Sequence, residues 1–287
     1  MRFLAAWMML WTACAPQPVA QPRQPEPVML EPVPLGIPET VPGPQITYLA
    51  NEGVLLTFAD QSVLIDGLHR PYKPEYAVLD EATRGRVERA EGVLATVALI
   101  LVSHVHRDHF DAEAVRAHLS HNTRARLIGS AQVVEAVTAG LPANTELRTR
   151  VEAVTFAPGT VHRREVDGIA VELLGLPHAG ENFRATIHNL GHIVTFGGQS
   201  FLHVGDTALD EPALAGLDLP ARGLDVAFLP YWYFLGAGGL AAVQRTIGAK
   251  RYYAVHVPPN EPAAREELAR AAPEVRPLTE PWSPVHP

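Results

Sequence analysis

With 287 residues, 47% of them hydrophobic and 19% charged, the chain is long enough to bury one large core or two small ones. A formal net charge of −8, with no Lys/Arg-rich run, argues against a nucleic-acid groove, because phosphate binding needs clustered positive charge. The expected partner is a small-molecule or lipid-like substrate.

The first fourteen residues, MRFLAAWMMLWTAC, carry one arginine and then an apolar run too short to span a bilayer, the pattern of an export signal. Cys14, the only cysteine, ends that run and resembles the cleavage site of a bacterial lipoprotein, where the cysteine becomes the acylated first residue. That likeness implies export to the cell envelope, with a lipid anchor facing the periplasm or the outside as the only membrane contact. Ordinary signal cleavage or a merely buried cysteine are the alternatives. Residues 15–45 hold ten of the 26 prolines, which excludes helix and central strand and predicts an extended tether with a reach of about 90 Å. A folded domain is expected over 46–287.

From Ile46 the runs ITYLA, GVLLTFA and SVLIDG, separated by short polar turns, predict an antiparallel meander. A helix is expected over 81–91, a buried strand at ALILVS, a helix over 112–119, a strand at ARLIG and a helix over 131–138 ended by Gly140. The second half repeats the theme: VEAVTFA, IAVELLGLP, ATIHNLGHIVTFG, SFLHVGD, LDVAFLP and YYAVHV read as strands, with helices over 240–247 and 263–271. Two β-rich halves, each with helices, predict sheets packed face to face with helices outside.

The segment SHVHRDHF, residues 103–110, follows the ALILV strand directly. On an extended segment His104, His106 and Asp108 project to one side, and His109 adds a fourth donor. Imidazole and carboxylate are the donors that zinc and similar divalent ions take, so H-x-H-x-D-H at this spacing points to a metal site.

These residues resemble the signature of the metallo-β-lactamase fold superfamily, αββα sandwiches with a two-metal site at one edge. LPHAGEN offers His178, SFLHVGDTALD offers Asp206 and YYAVHVPP offers His256, in the family's order. The resemblance implies one cation held by His104, His106 and His178 and a second held by Asp108, His109 and His256. Asp206 bridges them, and Asp108 and Asp206 are the catalytic carboxylates. It also implies that Asp66, in LIDG, is a buried carboxylate supporting the site and not a ligand. His188 and His192 also lie upstream of Asp206 and compete with His178 for the third position; the Pro-His-Ala-Gly loop favours His178. His203, His162, His121, His69 and His286 read as surface or packing histidines.

Two divalent ions, zinc first and manganese or iron as alternatives, would leave a charge of about +2 against two carboxylates and would lower the pKa of a bridging water to roughly 7. Hydrolysis of an ester, lactone, amide or phosphodiester follows. No cysteine is available as a ligand, which separates the chain from the cysteine-ligated β-lactamases; NLGHIVTFGGQSFLHVGDTALDEP and PYWYF look more like a hydrolase-like branch near the lactonase and phospholipase D-type members. Tyr231 and Trp232 are expected either as an apolar substrate wall or as core packing. The rival readings are an iron-dependent redox member and a non-catalytic tethered binding protein.

Overall fold

The computed structural model describes residues 43–285. The export segment 1–14 with Cys14, the tether up to residue 42, and His286 lie outside the described residues.

Gln45–Tyr48 (β1), Val54–Phe58 (β2) and Gln61–Ile65 (β3) form the antiparallel meander that the sequence predicts. Helix Glu81–Glu88 (α1) leads to Val97–Leu101 (β4), followed by Ala112–His121 (α2), Arg126–Ser130 (β5), Ala131–Thr138 (α3) and Val151–Val154 (β6). Strands β4, β5 and β6 extend β3 in parallel. Each of these helices starts where a short polar side chain accepts a hydrogen bond from a first-turn amide: Asp80 from Thr83, Asp111 from Ala114 and Ser130 from Val133.

The second half has the same plan. Val161–Val166 (β7) and Ile169–Gly175 (β8) lead through the short helix Glu181–Arg184 (α4) to Leu190–Phe196 (β9) and Gln199–His203 (β10), all antiparallel. After the short helix Pro212–Ala215 (α5) come Val226–Pro230 (β11), Gly239–Thr246 (α6), Arg251–Val255 (β12), Pro262–Ala271 (α7) and Arg276–Pro277 (β13). Strands β11 to β13 continue β10 in parallel. The last strand, Ser283–Val285 (β14), crosses back to pair with β1. Two seven-stranded sheets result, ordered β14-β1-β2-β3-β4-β5-β6 and β13-β12-β11-β10-β9-β8-β7.

Alternation along the strands sorts their side chains into layers. Val54, Leu56, Val63 and Ile65 face the second sheet and meet Phe201, Phe228 and Tyr253 between the sheets. Leu55 and Leu64 face outward and are covered by α1, α2 and α3 through Val87, Val115 and Val133. On the opposite side Leu202, Leu229 and Ala254 pack under α6 and α7 through Val243 and Leu268. This is the expected αββα sandwich, and its central strands, such as β4 and β11, are apolar on both faces because both are buried.

Three expectations are corrected. VHRREV forms β7, which sequence reading missed because a strand at a sheet edge can keep charged residues in solvent. In ATIHNLGHIVTFG only Leu190–Phe196 is strand; residues 185–189 are a loop. VEAVTFA ends as strand at Val154. The described chain enters beside the β9–β10 turn, where a side chain on Gly197 would strike Pro44, and Val285 pairs with Ile46, so both described ends lie together at that end of the sandwich. Among the described residues no helix is long and apolar enough to cross a membrane.

Candidate metal centre

Strands β1, β3, β4, β8, β10 and β12 all point the same way within their sheets, and the residues that follow them gather at one end of the sandwich. The carboxyl ends of strands are where α/β sheets leave an open crevice. Segment 104–109 is a turn and not an extended run, which corrects the sequence-based picture: the amides of His109 and Phe110 both donate to His106 O, at 3.1 and 2.9 Å. The turn splits the donors, sending His104 and His106 to one group and Asp108 and His109 to another.

In the first group His106 Nδ1 lies 3.0 Å from His104 Nε2 and 3.1 Å from His178 Nε2, and Asp206 Oδ2 is 3.8 and 3.5 Å from those two Nε2 atoms. His178 Nδ1–H donates to Ala179 O at 2.6 Å, and His104 Nδ1–H to Ser103 Oγ at 3.0 Å, so the lone pairs of both Nε2 atoms face inward. Facing lone pairs repel unless a cation sits among them. Tetrahedral zinc with Zn–N bonds of 2.0–2.1 Å spaces its nitrogens about 3.3 Å apart, close to what is seen.

In the second group Asp108 Oδ2 lies 3.4 Å from His109 Nε2 and 3.2 Å from His256 Nε2. Asp206 Oδ2 is 3.5 Å from His109 Nε2 and 3.8 Å from His256 Nε2, so one oxygen of Asp206 faces both groups. His109 Nε2 and Asp206 Oδ1 are buried with no hydrogen-bond partner among the described residues. Buried polar atoms without partners are rare and costly; together with the donor types they fit divalent ions at both groups. All seven expected donors come together. His188 does not join them: it stacks on Phe156, and its amide donates to Gln132.

Asp66 occupies the supporting position. Its Oδ1 accepts from the Ser103 amide at 2.7 Å, and its Oδ2 accepts from Ser103 Oγ and, at 3.0 Å, from His109 Nδ1. The carboxylate therefore orients His109 directly and His104 through Ser103. Burial would raise its pKa, but the His109 and Ser103 bonds outweigh burial and keep it ionised. The same competition resolves the same way for Asp108 and Asp206: burial opposes ionisation, and neighbouring imidazoles prevail. Burial, then the His109 charge, pushes His104 well below the ordinary histidine value, and burial with His178 lowers His106, leaving both in the neutral form that ligates.

Backbone strain marks two of the strand ends. Asp66 has φ +45° and His256 φ +59°, in the left-handed region that L residues seldom adopt. His256 is held there by its amide, which donates to Asn51 O at 2.9 Å. Gly205 (φ +57°) precedes Asp206 so closely packed that a Cβ would lie 2.8 Å from Ser103 Cβ. Asn189 secures this turn, donating to Leu176 O and Val204 O at 3.1 Å each and accepting from the Asp206 amide at 3.2 Å.

Sequence reasoning missed several neighbours. Asn51 Nδ2 donates to Asp108 O at 3.1 Å and to Asp108 Oδ2 at 3.3 Å. Glu52, read as part of a polar turn, is fully buried behind His109, 3.8 Å from Nδ1 and 3.5 Å from His203 Nε2; burial, then the Asp206 charge, raises its pKa well above the usual carboxylate range. His203, read as a packing residue, is the other side of that contact and donates to Glu52 O at 3.0 Å. An exposed Glu-containing turn and a buried one look alike in sequence.

The rim is aromatic. Trp232 meets His256 edge-on at 5.1 Å and touches Tyr231 at 5.6 Å, while Tyr233 and Phe234 are buried and Tyr233 Oη donates to Thr207 O at 2.8 Å. The PYWYF run thus divides: Trp232 reaches the donor His256, Tyr231 packs beside it at the edge of the core, and Tyr233 and Phe234 are buried, because Tyr231–Phe234 is a single tight helical turn. Tyr76 stands edge-on to His256 at 5.4 Å, and Phe183, 45% exposed, lies against His106 and His178 at 5.0 and 5.2 Å.

Solved structures share this architecture. A candidate metal-dependent hydrolase of Veillonella parvula aligns with a TM-score of 0.60 at 17% identity, over 85% of this chain and 99% of its own. The metallo-β-lactamase fold protein YhfI of Bacillus subtilis aligns at 0.56 and 14% identity, over 85% and 99%. CmlA of Streptomyces venezuelae, a diiron β-hydroxylase, aligns at 0.54 and 14% identity, over 85% of this chain and 54% of its own. Comparison with curated proteins returns no match. The model of the family described as beta-lactamase superfamily domain matches residues 63–257, from β3 through the donor His256, and the chain belongs to that family.

Proposed function

We propose that the protein is a binuclear metal-dependent hydrolase acting on an ester, lactone, amide or phosphodiester bond. The observation that carries this reading is the convergence of His104, His106, His178 and Asp206 beside Asp108, His109 and His256, with one Asp206 oxygen facing both sets. A pair of divalent ions, zinc first among them, would supply a water of lowered pKa as nucleophile and positive charge for the developing oxyanion. The chain's own part is to fix the imidazole tautomers through Ala179, Ser103 and Asp66, to hold Asp206 between the two groups through Asn189, and to shield the donors with Trp232, Tyr76 and Phe183. Trp232 and Tyr231 serve as the substrate wall. The proposal extends to the amino end: acylation at Cys14 would tether the enzyme to the cell envelope, and labelling with a fatty-acid analogue that disappears in Cys14→Ser tests it.

The deciding experiment is a panel of lactone, thioester, phosphodiester and β-lactam substrates on protein loaded with zinc, manganese or iron, beside a His104→Ala, His106→Ala control. Turnover is expected with at least one redox-inert metal and is lost in the control. Turnover that survives the double substitution contradicts the mechanism; activity that requires iron and oxygen replaces hydrolysis with redox chemistry.

A further inference from the structure

Arg107, between His106 and Asp108, is exposed, and its guanidinium lies 4.8 Å from the centroid of the Tyr72 ring. Among the described residues it has no carboxylate partner. Lys73 Nζ lies 5.1 Å from the same ring, and its contact with Glu75 Oε1, at 3.9 Å in solvent, contributes little. Tyr72 in turn stacks on Tyr76 at 6.1 Å, and Tyr76 meets the donor His256. A continuous aromatic wall therefore runs from the second donor group out to two cations. Beside that wall is a cavity of about 520 Å³, lined by Pro71, Tyr72, Lys73, Pro74, Tyr76 and Pro259.

A guanidinium resting on a ring face keeps its N–H edge free, and that edge matches a carboxylate or phosphate with two parallel hydrogen bonds. Stacking also limits the rotamers of a long side chain before any ligand arrives, which lowers the entropy lost on binding. A cavity of this size and apolar lining takes a short acyl chain or ring.

We propose that this wall and cavity receive the arm of the substrate beyond the scissile bond, an apolar arm carrying a carboxylate or phosphate that Arg107 and Lys73 hold. The inference rests on the hydrolase reading and adds the substrate class to it. The second anion is distinct from charge drawn to the candidate metal centre, because Arg107 and Lys73 each lie over the ring of Tyr72, two rings away from His256.

The test compares three 4-nitrophenyl esters on the metal-loaded full-length protein: the neutral hexanoate, the mono-adipate and a 6-phosphooxyhexanoate. The anionic esters should be preferred in kcat/KM, chiefly through KM, and the better of the two identifies the anion. In Arg107→Ala that preference should fall at least tenfold, and in Arg107→Glu further, with metal content unaltered; Lys73→Ala should give a smaller loss. Equal use of neutral and anionic esters by the unsubstituted protein, or a preference that persists in Arg107→Ala, overturns the proposal. If none of these esters is hydrolysed, the hydrolase reading is judged on the wider substrate panel, and tryptophan fluorescence titrations with hexanoate and hexanol decide this inference. Tighter binding of hexanoate that weakens tenfold in Arg107→Ala supports it, and binding indifferent to Arg107 overturns it.

Discussion

The two sheets share a plan of antiparallel strands followed by parallel ones, yet they supply the candidate metal centre differently. The first supplies His104, His106, Asp108 and His109 from one turn after β4, oriented by Asp66 from the neighbouring strand end. The second supplies His178, Asp206 and His256 from three separate strand ends, steadied by Asn189 and by backbone bonds such as His256 N to Asn51 O. Half of the centre is therefore set by local covalent geometry, and the other half exists only when the second sheet is folded against the first.

That contrast can be broken at the level of the ion. Because each donor group draws on both sheets, bound cations act as ligands of the folded state alone, and the removal of each should cost about 4 kcal/mol when the free ion stands at 1,000 times its Kd. Calorimetry before and after chelation should show the fall in Tm, reversed by readdition; an unchanged Tm would mean that the ions do not join the halves. A finer cut separates the two supporting residues. Asp66→Ala should weaken metal affinity about 10- to 100-fold, because it frees both His109 and Ser103. Asn189→Ala should weaken it less, since the Asp206 side chain keeps its place through the backbone bond of Ala179 N to Asp206 O. Competition with a chromophoric chelator measures both, and the reverse order would show the second sheet to be the more dependent half.

A third contrast concerns His192, buried with neither ring nitrogen hydrogen-bonded among the described residues. Burial, opposed only partly by Asp66, lowers its pKa from 6.5 to about 3. In the unfolded chain this histidine takes a proton near pH 6.5 and in the fold it does not, so its contribution is full above that pH and is lost as pH falls toward 3. Urea unfolding of the metal-free protein between pH 7 and 4 should therefore lose about 1.4 kcal/mol per pH unit less in His192→Leu than in the unsubstituted protein. Parallel pH dependence of the two would show His192 to be protonated in the fold.

The layers of the fold were legible because strands buried on both faces and helices with polar caps leave strong periodic marks; edge strand β7, charged on its solvent side, leaves none. The H-x-H-x-D-H turn was legible as a donor cluster from spacing alone, although its turn geometry was not. His178, Asp206 and His256 came only through family resemblance, since nothing local in a lone histidine tells a ligand from a packed ring. Glu52, Asn51 and Phe183 were invisible, because what distinguishes them is which other strand end they meet after folding.

The pairing of Val285 with Ile46 puts the first and last described strands side by side, and Pro44 lies against the β9–β10 turn, whereas every donor follows the opposite ends of the strands. A fusion partner, an affinity tag or a solid support joined through either strand would thus approach the blind end of the sandwich and leave the donor residues turned toward bulk solution. Splicing those two strands with a short linker and opening the chain at a surface loop should yield a circular permutant with an undisturbed donor cluster.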